Sequence, residues 1–480
     1  MTESALLELE VGPVGHGGFC VARHEGQVVF VRHALPGETV RARVTEETKN
    51  FLRADAVEIL KASPDRREAP CEFSGPGRCG GCDWQHATPE AQRRLKSDVV
   101  KEQLQRLAGI SREVHVEEVA VPVLYTEDGE PIASPPGLGW RTRVQFAVGE
   151  DGGVGLRKSR SHDIEYIDRC LIAHPGTEQI GVERQLWKNA AGVEAIVSAG
   201  TGDRLVVITE PKGRNRRPTK IPTLDVPVRI VKPDRPERFT PQQPGKAQGG
   251  KPQPGRPQPR KAVTPFVREE AAGRLWQVTG SGFWQVHPAA AETLVKAVMD
   301  ALEPRSGEIA LDLYCGVGLF AGVLAERVGR DGLVIGVETG NQAVRDAKFN
   351  LKDLANVSIE QGKVEDVIAA LEFGQARPER PQRGAQPKRG AAQGHRGGSR
   401  VRGADITVLD PPRTGAGEKV VDEIARRTNR KIAYVSCDPA TLARDLKYFS
   451  TRGWVLETLR AFDLFPNTSH VECVASLIRG

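Results

Sequence analysis

The sequence predicts an α/β protein: a doubly wound parallel sheet in about the last 200 residues, preceded by a small β-barrel and a mixed α+β region. Three observations predict it. IALDLYC, GLVIGVE, ITVLDPP and KIAYVSC are apolar runs of strand length, each reaching an Asp, Glu or Cys at its carboxyl end. Helix-patterned stretches, GLFAGVLAERV, NQAVRDAKFNLKDL and GEKVVDEIARR, lie between them. Strands without apolar/polar alternation are covered on both faces, as in a parallel sheet flanked by helices. Residues 5–60, by contrast, alternate apolar and polar positions in QVVFVRHAL and ETVRARVTE, with turn signals at Glu25-Gly26 and Pro36-Gly37. So many short strands in one small segment favour a closed barrel over an open sheet.

The length of 480 residues suggests about three domains at roughly 150 residues each. Residues 1–62 form the barrel, 63–277 the mixed region and 278–480 the parallel sheet. No run approaches the roughly 18 apolar residues of a membrane span, and Met1-Thr2-Glu3-Ser4 lacks a basic, apolar leader. An integral membrane protein is thereby excluded, and eight cysteines in such a length do not make a disulfide scaffold. A reducing, cytoplasmic setting and a monomer are expected.

The net charge of +6 is localised. Residues 233–265 hold seven Lys/Arg against two acids, and 374–403 hold eight against one, so the remainder sums to about −6. Both segments are rich in Pro, Gly and Gln and have too little apolar surface to offset ordering entropy. They read either as solvated linkers or as arms that follow an RNA backbone.

In the middle region, PEAQRRLKSDVVKEQLQRLAGI predicts a helix with Thr88 as N-cap, Pro89 first and an end near Gly109. TRVQFAV and DRLVVIT predict strands, interrupted by the polar loop 126–139 and the first basic segment.

Asp312-Leu-Tyr-Cys-Gly-Val-Gly318 ends the first strand of the parallel sheet and turns into a helix. Its glycines, Gly316 among them, allow close backbone approach to a ligand, and the helix start presents free N–H groups. The spacing is not G-x-G-x-x-G, and no Lys follows for phosphates. Glu338, 26 residues on, ends the second strand, where a carboxylate can take both hydroxyls of a ribose. A nucleoside without phosphates fits this better than a nucleotide, and S-adenosylmethionine is such a ligand. Asp410-Pro-Pro-Arg413 ends the next strand; with Arg rather than an aromatic ring in fourth place, methylation of an exocyclic amine is disfavoured.

Ser436-Cys437-Asp438-Pro439 sets a thiol at the sheet's ligand edge beside a helix start, where its pKa can be lowered. Downstream, His470 and Glu472 lie two apart, so on a strand they share a face, and Glu472 can serve as a general base. Cys20, Cys315 and Cys473 read as small buried hydrophobes. The other cysteines, Cys71, Cys79, Cys82 and, 88 residues further, Cys170, form a metal-type set around CGGC. Zinc or an iron–sulfur cluster satisfies that spacing equally well.

In order along the chain, the barrel pattern, CGGC with outlying cysteines, FWQVHP, DLYCGVG, LDPPR, VSCDPATLARD and FPNTSHVE resemble the RNA 5-methyluridine methyltransferases that carry an N-terminal TRAM barrel and a [4Fe–4S] cluster. The likeness covers nearly the whole chain, and SCDPATLARD with a downstream H-x-E is its most specific part. It implies an OB-like TRAM barrel, a mixed central domain and a class I (Rossmann-like) methyltransferase domain. It implies Cys437 as nucleophile and Glu472 as base. Gln285, Tyr314, Gly316, Glu338 and Asp410 would contact S-adenosyl-L-methionine, and Cys71, Cys79, Cys82 and Cys170 would ligate the [4Fe–4S] cluster. Phe283 or Trp284 would stack on a flipped base. Large-subunit ribosomal RNA is the first substrate it suggests and transfer RNA the second. The chain departs from the family's pattern in the longer gap between Cys71 and Cys79, in Leu319 after the glycines, and in the two basic segments. Two other readings are an RNA cytosine-5 methyltransferase, which would place Pro-Cys where Asp410-Pro-Pro stands, and a non-catalytic RNA-binding iron–sulfur protein.

Overall fold

A computed structural model of the protein describes residues 6–125, 131–132, 135–212, 217–231, 265–280, 282–371 and 403–480. The two basic segments, apart from their last residues Pro265 and Gly403, lie outside the described residues, as does part of the polar loop 126–139.

Residues 6–61 fold as the expected barrel. Strands Leu6–Glu10, Cys20–His24, Gln27–Arg32, Thr39–Glu47 and Phe51–Lys61 make one five-stranded sheet. Period-2 alternation sends Val29, Val31, Val40 and Ala42 inward and turns Val28, Phe30, Arg41 and Arg43 outward. Glu25 and Gly26 both have positive φ, the geometry of a two-residue hairpin turn. The segment after the first strand joins the sheet's two edges. Val11 N–H donates to Glu38, then Gly12 N–H donates to Val21 O and Val21 N–H to Pro13 O. This closes the barrel.

The helix Pro89–Gln103 starts at the Thr88 cap, whose hydroxyl accepts from Ala91 N–H, and its π-turn extension Leu104–Ala108 ends at Gly109 with φ 68°. A cap of this kind is worth about 1 kcal/mol. Its apolar face, Ala91, Leu95 and Val99, packs on the barrel core together with Trp84. Lys96, fully buried, pairs with Asp463 beyond the helix and donates to Phe465 O at 3.0 Å. Val116–Glu118 then adds an edge strand to the C-terminal sheet.

The middle sheet has six strands in the order Ile164–Tyr166, Val154–Arg157, Arg143–Val148, Gly192–Val197, Arg204–Thr209, Arg229–Val231, antiparallel except for the last pair. The hairpin Phe266–Ala271/Arg274–Thr279 follows and inserts Trp276 into the C-terminal core.

The C-terminal sheet has eight strands. In spatial order they are Val357–Gln361, Leu333–Glu338, Ile309–Leu313, Ala404–Leu409, Thr428–Ser436, Glu472–Arg479, Trp454–Asp463 and Val116–Glu118. The first five are parallel and Glu472–Arg479 runs antiparallel between its neighbours. The four apolar runs are its central strands; Val357–Gln361 and Trp454–Asp463 are half-exposed and carried too little apolar signal to be read. Strand order reverses between Ile309–Leu313 and Ala404–Leu409, the place where ligands bind in open sheets. Among the described residues, no helix is long and apolar enough to cross a membrane.

Candidate active site

The expected site residues divide into two places. Tyr314, Gly316, Glu338, Asp410, Cys437 and Glu472 sit at or just beyond strand ends along one edge of the C-terminal sheet. The four cysteines line a separate cavity.

At the topological switch, Asp312 is fully buried; its Oδ2 accepts from Ala321 N–H at 2.7 Å, and its Oδ1 has no partner. Burial pushes its carboxyl well above the ordinary range, opposed by the Ala321 bond and reinforced by the charges of Asp410 and Glu338. Glu338 accepts from Gly316 N–H at 3.1 Å and Gly340 N–H at 2.6 Å. Between them Tyr314 takes φ 63°, a conformation rare for a side chain of its size and characteristic of functional turns. Gly318, φ 93°, is required: a Cβ there would meet Leu351 at 2.7 Å. Asp312, Glu338 and Asp410 make this edge acidic, with Asp312 buried at its centre. Gln285 is half-buried on the loop after the hairpin. That loop is held at both ends, by Arg143 Nη1 on Gly282 O (2.6 Å) and by Thr142 on Val286 O (N–H 2.9 Å, Oγ1 3.0 Å). Phe283 projects from it at 68% exposure, whereas Trp284 is 7% exposed within the core. Trp284 is thereby removed as a stacking surface; Phe283 remains.

At the thiol, the expectation of a lowered pKa is corrected. Burial, then the charge of Glu472, pushes Cys437 up to about 11, against the pull of Arg413, which hydrogen-bonds the sulfur. Glu472 is itself driven well above the carboxylate range by burial and by Asp410. Asp410 is raised by burial to about 7. Two adjacent buried carboxyls resist ionising together. Arg413 is the cation of the cluster and also approaches His470, Nη2 to Nε2 at 3.4 Å. A second correction concerns His470: the strand begins at Glu472, so His470 lies before it and the two do not share a strand face. His470 is held near 4 by burial and Arg413, so it is neutral. Cys20, Cys315 and Cys473 are buried, as expected.

Residues whose roles the sequence did not disclose hold this edge together. Asp445 accepts from Ala416 N–H, Gly417 N–H and Tyr434 O–H, and Thr441 and Arg444 donate to Arg413 O and Thr414 O. The TLARD part of the helix Pro439–Ser450 is therefore the clamp on the segment Arg413–Gly417 that follows Asp410-Pro-Pro. Asn467, φ 67° and fully buried, uses every polar group it has. It takes Arg67 and Gln92 on Oδ1, gives Nδ2 to Gly137 O and N–H to Gln92, and its carbonyl receives Asp83 N–H and Trp84 N–H. An Asn after Pro in FPNTSH is the only local hint of that turn.

Cys71, Cys79, Cys82 and Cys170 face one cavity of about 190 Å³ with Phe73, Leu156 and Ile167 around it. Burial raises all four thiols, Cys170 to about 11. The long Cys71–Cys79 gap does not displace Cys71 from the set. Among the described residues, no three His, Cys, Asp or Glu side chains stand close enough to hold one metal ion.

The doubly wound sheet with carboxylates at its switch point and the closed N-terminal barrel, taken with the family models that match them, place the protein among RNA methyltransferases. Residues 270–480 match the family model described as tRNA (Uracil-5-)-methyltransferase, and residues 4–57 match the TRAM domain. A protein from Streptomyces avermitilis described as an uncharacterized RNA methyltransferase is 50% identical over 474 residues, covering 98% of this chain and 97% of its own. One from Streptomyces coelicolor is 52% identical over 474 residues, with 98% and 92% covered. The chain belongs to the RNA (uracil-5-)-methyltransferase family. Its fold is that of the Pyrococcus abyssi tRNA (uracil-54, C5)-methyltransferase in complex with S-adenosyl-L-homocysteine (TM-score 0.64, 22% identity, 98% of this chain and 100% of that one).

Proposed function

We propose that this protein uses S-adenosyl-L-methionine to methylate C5 of a uridine in RNA through a transient Cys437–C6 bond, with Glu472 as the base. The observation that carries the reading is the grouping of Cys437, Arg413, Asp410 and Glu472 in one electrostatic cluster at the sheet's ligand edge.

S-adenosylmethionine, when bound, supplies an electrophilic methyl group. Tyr314, Gly316, Glu338, Asp410 and Gln285 are the residues we assign to hold it. Uracil C5 is a poor nucleophile until C6 is attacked. Cys437 gives up its proton to solvent, with Arg413 steadying the sulfur's charge, and adds to C6, leaving C5 enolate-like and able to take the methyl, S-adenosyl-L-homocysteine being the group that would leave. Glu472 then removes the C5 proton, and the C6–S bond breaks with its electrons returning to sulfur. Burial makes the Glu472 carboxylate a stronger base than a solvated one, which suits this proton transfer. The target uridine must leave any stack to reach the site, and exposed Phe283 is the surface we assign to it.

For the cysteine cavity we propose a [4Fe–4S] cluster. Four thiols lining one cavity support the reading, and the family resemblance selects a cluster over a single zinc. Protein purified without oxygen should be brown; colourless protein with one stoichiometric zinc would overturn this assignment. The RNA we assign first is large-subunit ribosomal RNA, the substrate the family resemblance suggests first, in a cytoplasmic monomer. Transfer RNA is the second reading, favoured by the matched family's description. Mass-spectrometric mapping of 5-methyluridine in total RNA from a strain lacking the gene tests both: one ribosomal position should lose its methyl group, and a loss confined to transfer RNA would select the second.

A further inference from the structure

Where the barrel, the cysteine segment and a hairpin of the middle sheet meet, a groove of about 360 Å³ opens. Arg32 comes from the barrel, Gly80 from the CGGC turn, and Arg157, Lys158 and Arg160 from the hairpin joining Val154–Arg157 to Ile164–Tyr166. Asp83 is the one carboxylate in its lining, against four cations. We propose that this groove binds backbone phosphates of the single-stranded RNA flanking the target uridine. The inference rests on the function proposed above and adds the path of the substrate strand.

The cations come from separate parts of the chain, yet their placement is rigid. Gly80 N–H donates to Arg157 O at 3.0 Å, and Cys79 bridges Lys158. Gly80 cannot be larger, because a Cβ would stand 2.8 Å from the Ser159 backbone. Lys158 N–H donates to Asp163 O at 2.9 Å, closing the hairpin loop. Arg157 donates to His162 O at 2.8 Å, and the other three charges are held only loosely by protein partners. Lys158 is 3.5 Å from Glu165, Arg160 is 4.0 Å from Glu46 and Arg32 is 3.5 Å from Asp83. Partly exposed pairs of this kind contribute about 0–1 kcal/mol, so a phosphate can displace them.

The groove also points to the reacting atoms. Its wall residue Asp83 accepts Ser469 N–H at 2.9 Å, directly before His470. Gly18, next to the lining residue Gly17, lies against Ser469 so closely that a Cβ would meet that side chain at 2.7 Å. His16, on the same barrel loop, reaches Asp438, the neighbour of Cys437. A strand carrying a flipped uridine at Cys437 thus has a cationic channel beginning one loop away. Single strands are held in this way, by cations that follow the backbone without reading sequence.

The test uses the full chain and a uridine-containing single-stranded oligoribonucleotide, with binding followed by fluorescence anisotropy across sodium chloride concentrations. The double variant K158Q/R160Q is chosen because both side chains are partly solvent-exposed, while Arg157 is left alone because it also lines the cysteine cavity. Affinity should fall about tenfold, and the slope of log affinity against log salt should shallow by roughly 1.4, at about 0.7 for each phosphate no longer neutralised. The KM for RNA should rise while methyl transfer at saturating RNA is kept. A control, K296Q/R330Q, makes the same charge change on exposed residues outside the groove and should bind as the parent does. Unchanged affinity and slope in K158Q/R160Q, or an equal loss in the control, overturns the groove. Failure of the unaltered protein to methylate uracil C5 would instead remove the reading beneath it, and the inference with it.

Discussion

His16 Nε2 lies 3.1 Å from Asp438 Oδ2, joining residues 422 positions apart. The contact ties the barrel to the residue that follows the candidate nucleophile. Asp438 also caps the helix Pro439–Ser450 by accepting Thr441 N–H at 2.8 Å. Burial acts to raise Asp438, but the bonds from His16 and Thr441 outweigh it and hold the carboxyl at about 2. The same bond, against burial and the charge of Arg106 and with help from Glu102, raises His16 above the ordinary imidazole range. The barrel is therefore structurally continuous with the reactive loop.

His16→Ala should lower kcat several-fold with little change in the KM for RNA, and His16→Asn, which can still donate to Asp438, should restore part of it. Because the folded imidazole is raised, the stabilisation it contributes is complete below its unfolded pKa and is lost as pH rises through the folded one. The deficit of His16→Ala should accordingly be largest on the acid side. Steady-state rates between pH 5.5 and 8.5 check this, and a variant that changed only KM would contradict a positioning role.

Cys437→Ser should abolish turnover. Glu472→Gln should permit addition to C6 but slow release by roughly 10²–10⁴-fold. It should therefore accumulate a protein–RNA adduct that survives a denaturing gel. Absence of an adduct, with turnover intact, would remove Glu472 as the base.

The thiol's titration tests the electrostatics directly. Alkylation of Cys437 by iodoacetamide, followed by mass spectrometry, should rise steeply with pH toward a midpoint near 11 in the free protein. Removing the repelling charge in Glu472→Gln should bring that midpoint down, and removing the guanidinium in Arg413→Gln should take it up. Shifts in the reverse directions would show that another charge governs the sulfur.

Lys96 and Asp463 test the seam between the helix Pro89–Gln103 and the loop that leads to Glu472. Burial lowers the Lys96 pKa, while the charge and hydrogen bond of Asp463 favour its ammonium, which also donates to Phe465 O. Asp463→Ala leaves that charge buried and unpaired and should cost about 3–5 kcal/mol. Replacing both partners, as in Lys96→Met with Asp463→Leu, should recover most of the loss. Chemical denaturation of the full chain measures the difference.

The barrel, the capped helix and the central strands were legible because each depends on contacts a few residues long. Alternation set Val29 and Val31 inward, Thr88 capped its own helix, and continuous apolar runs specified strands covered on both sides. Motif spacing likewise led to Cys437, Glu472, Asp410 and the four cysteines as candidates. The protonation of Cys437 was not legible, because a helix start beside the thiol is a local feature, whereas its burial and the charge of Glu472 come from a strand paired to it across the sheet. Nor could local pattern show His16 against Asp438, Asn467 joining six bonds from four segments, or the cations around Gly80. Sequence by itself determined which elements form and which chemistry-bearing residues exist. Only the tertiary structure decided which of them meet and how far from water they lie, since burial and Coulomb interactions depend on distance through space rather than along the chain.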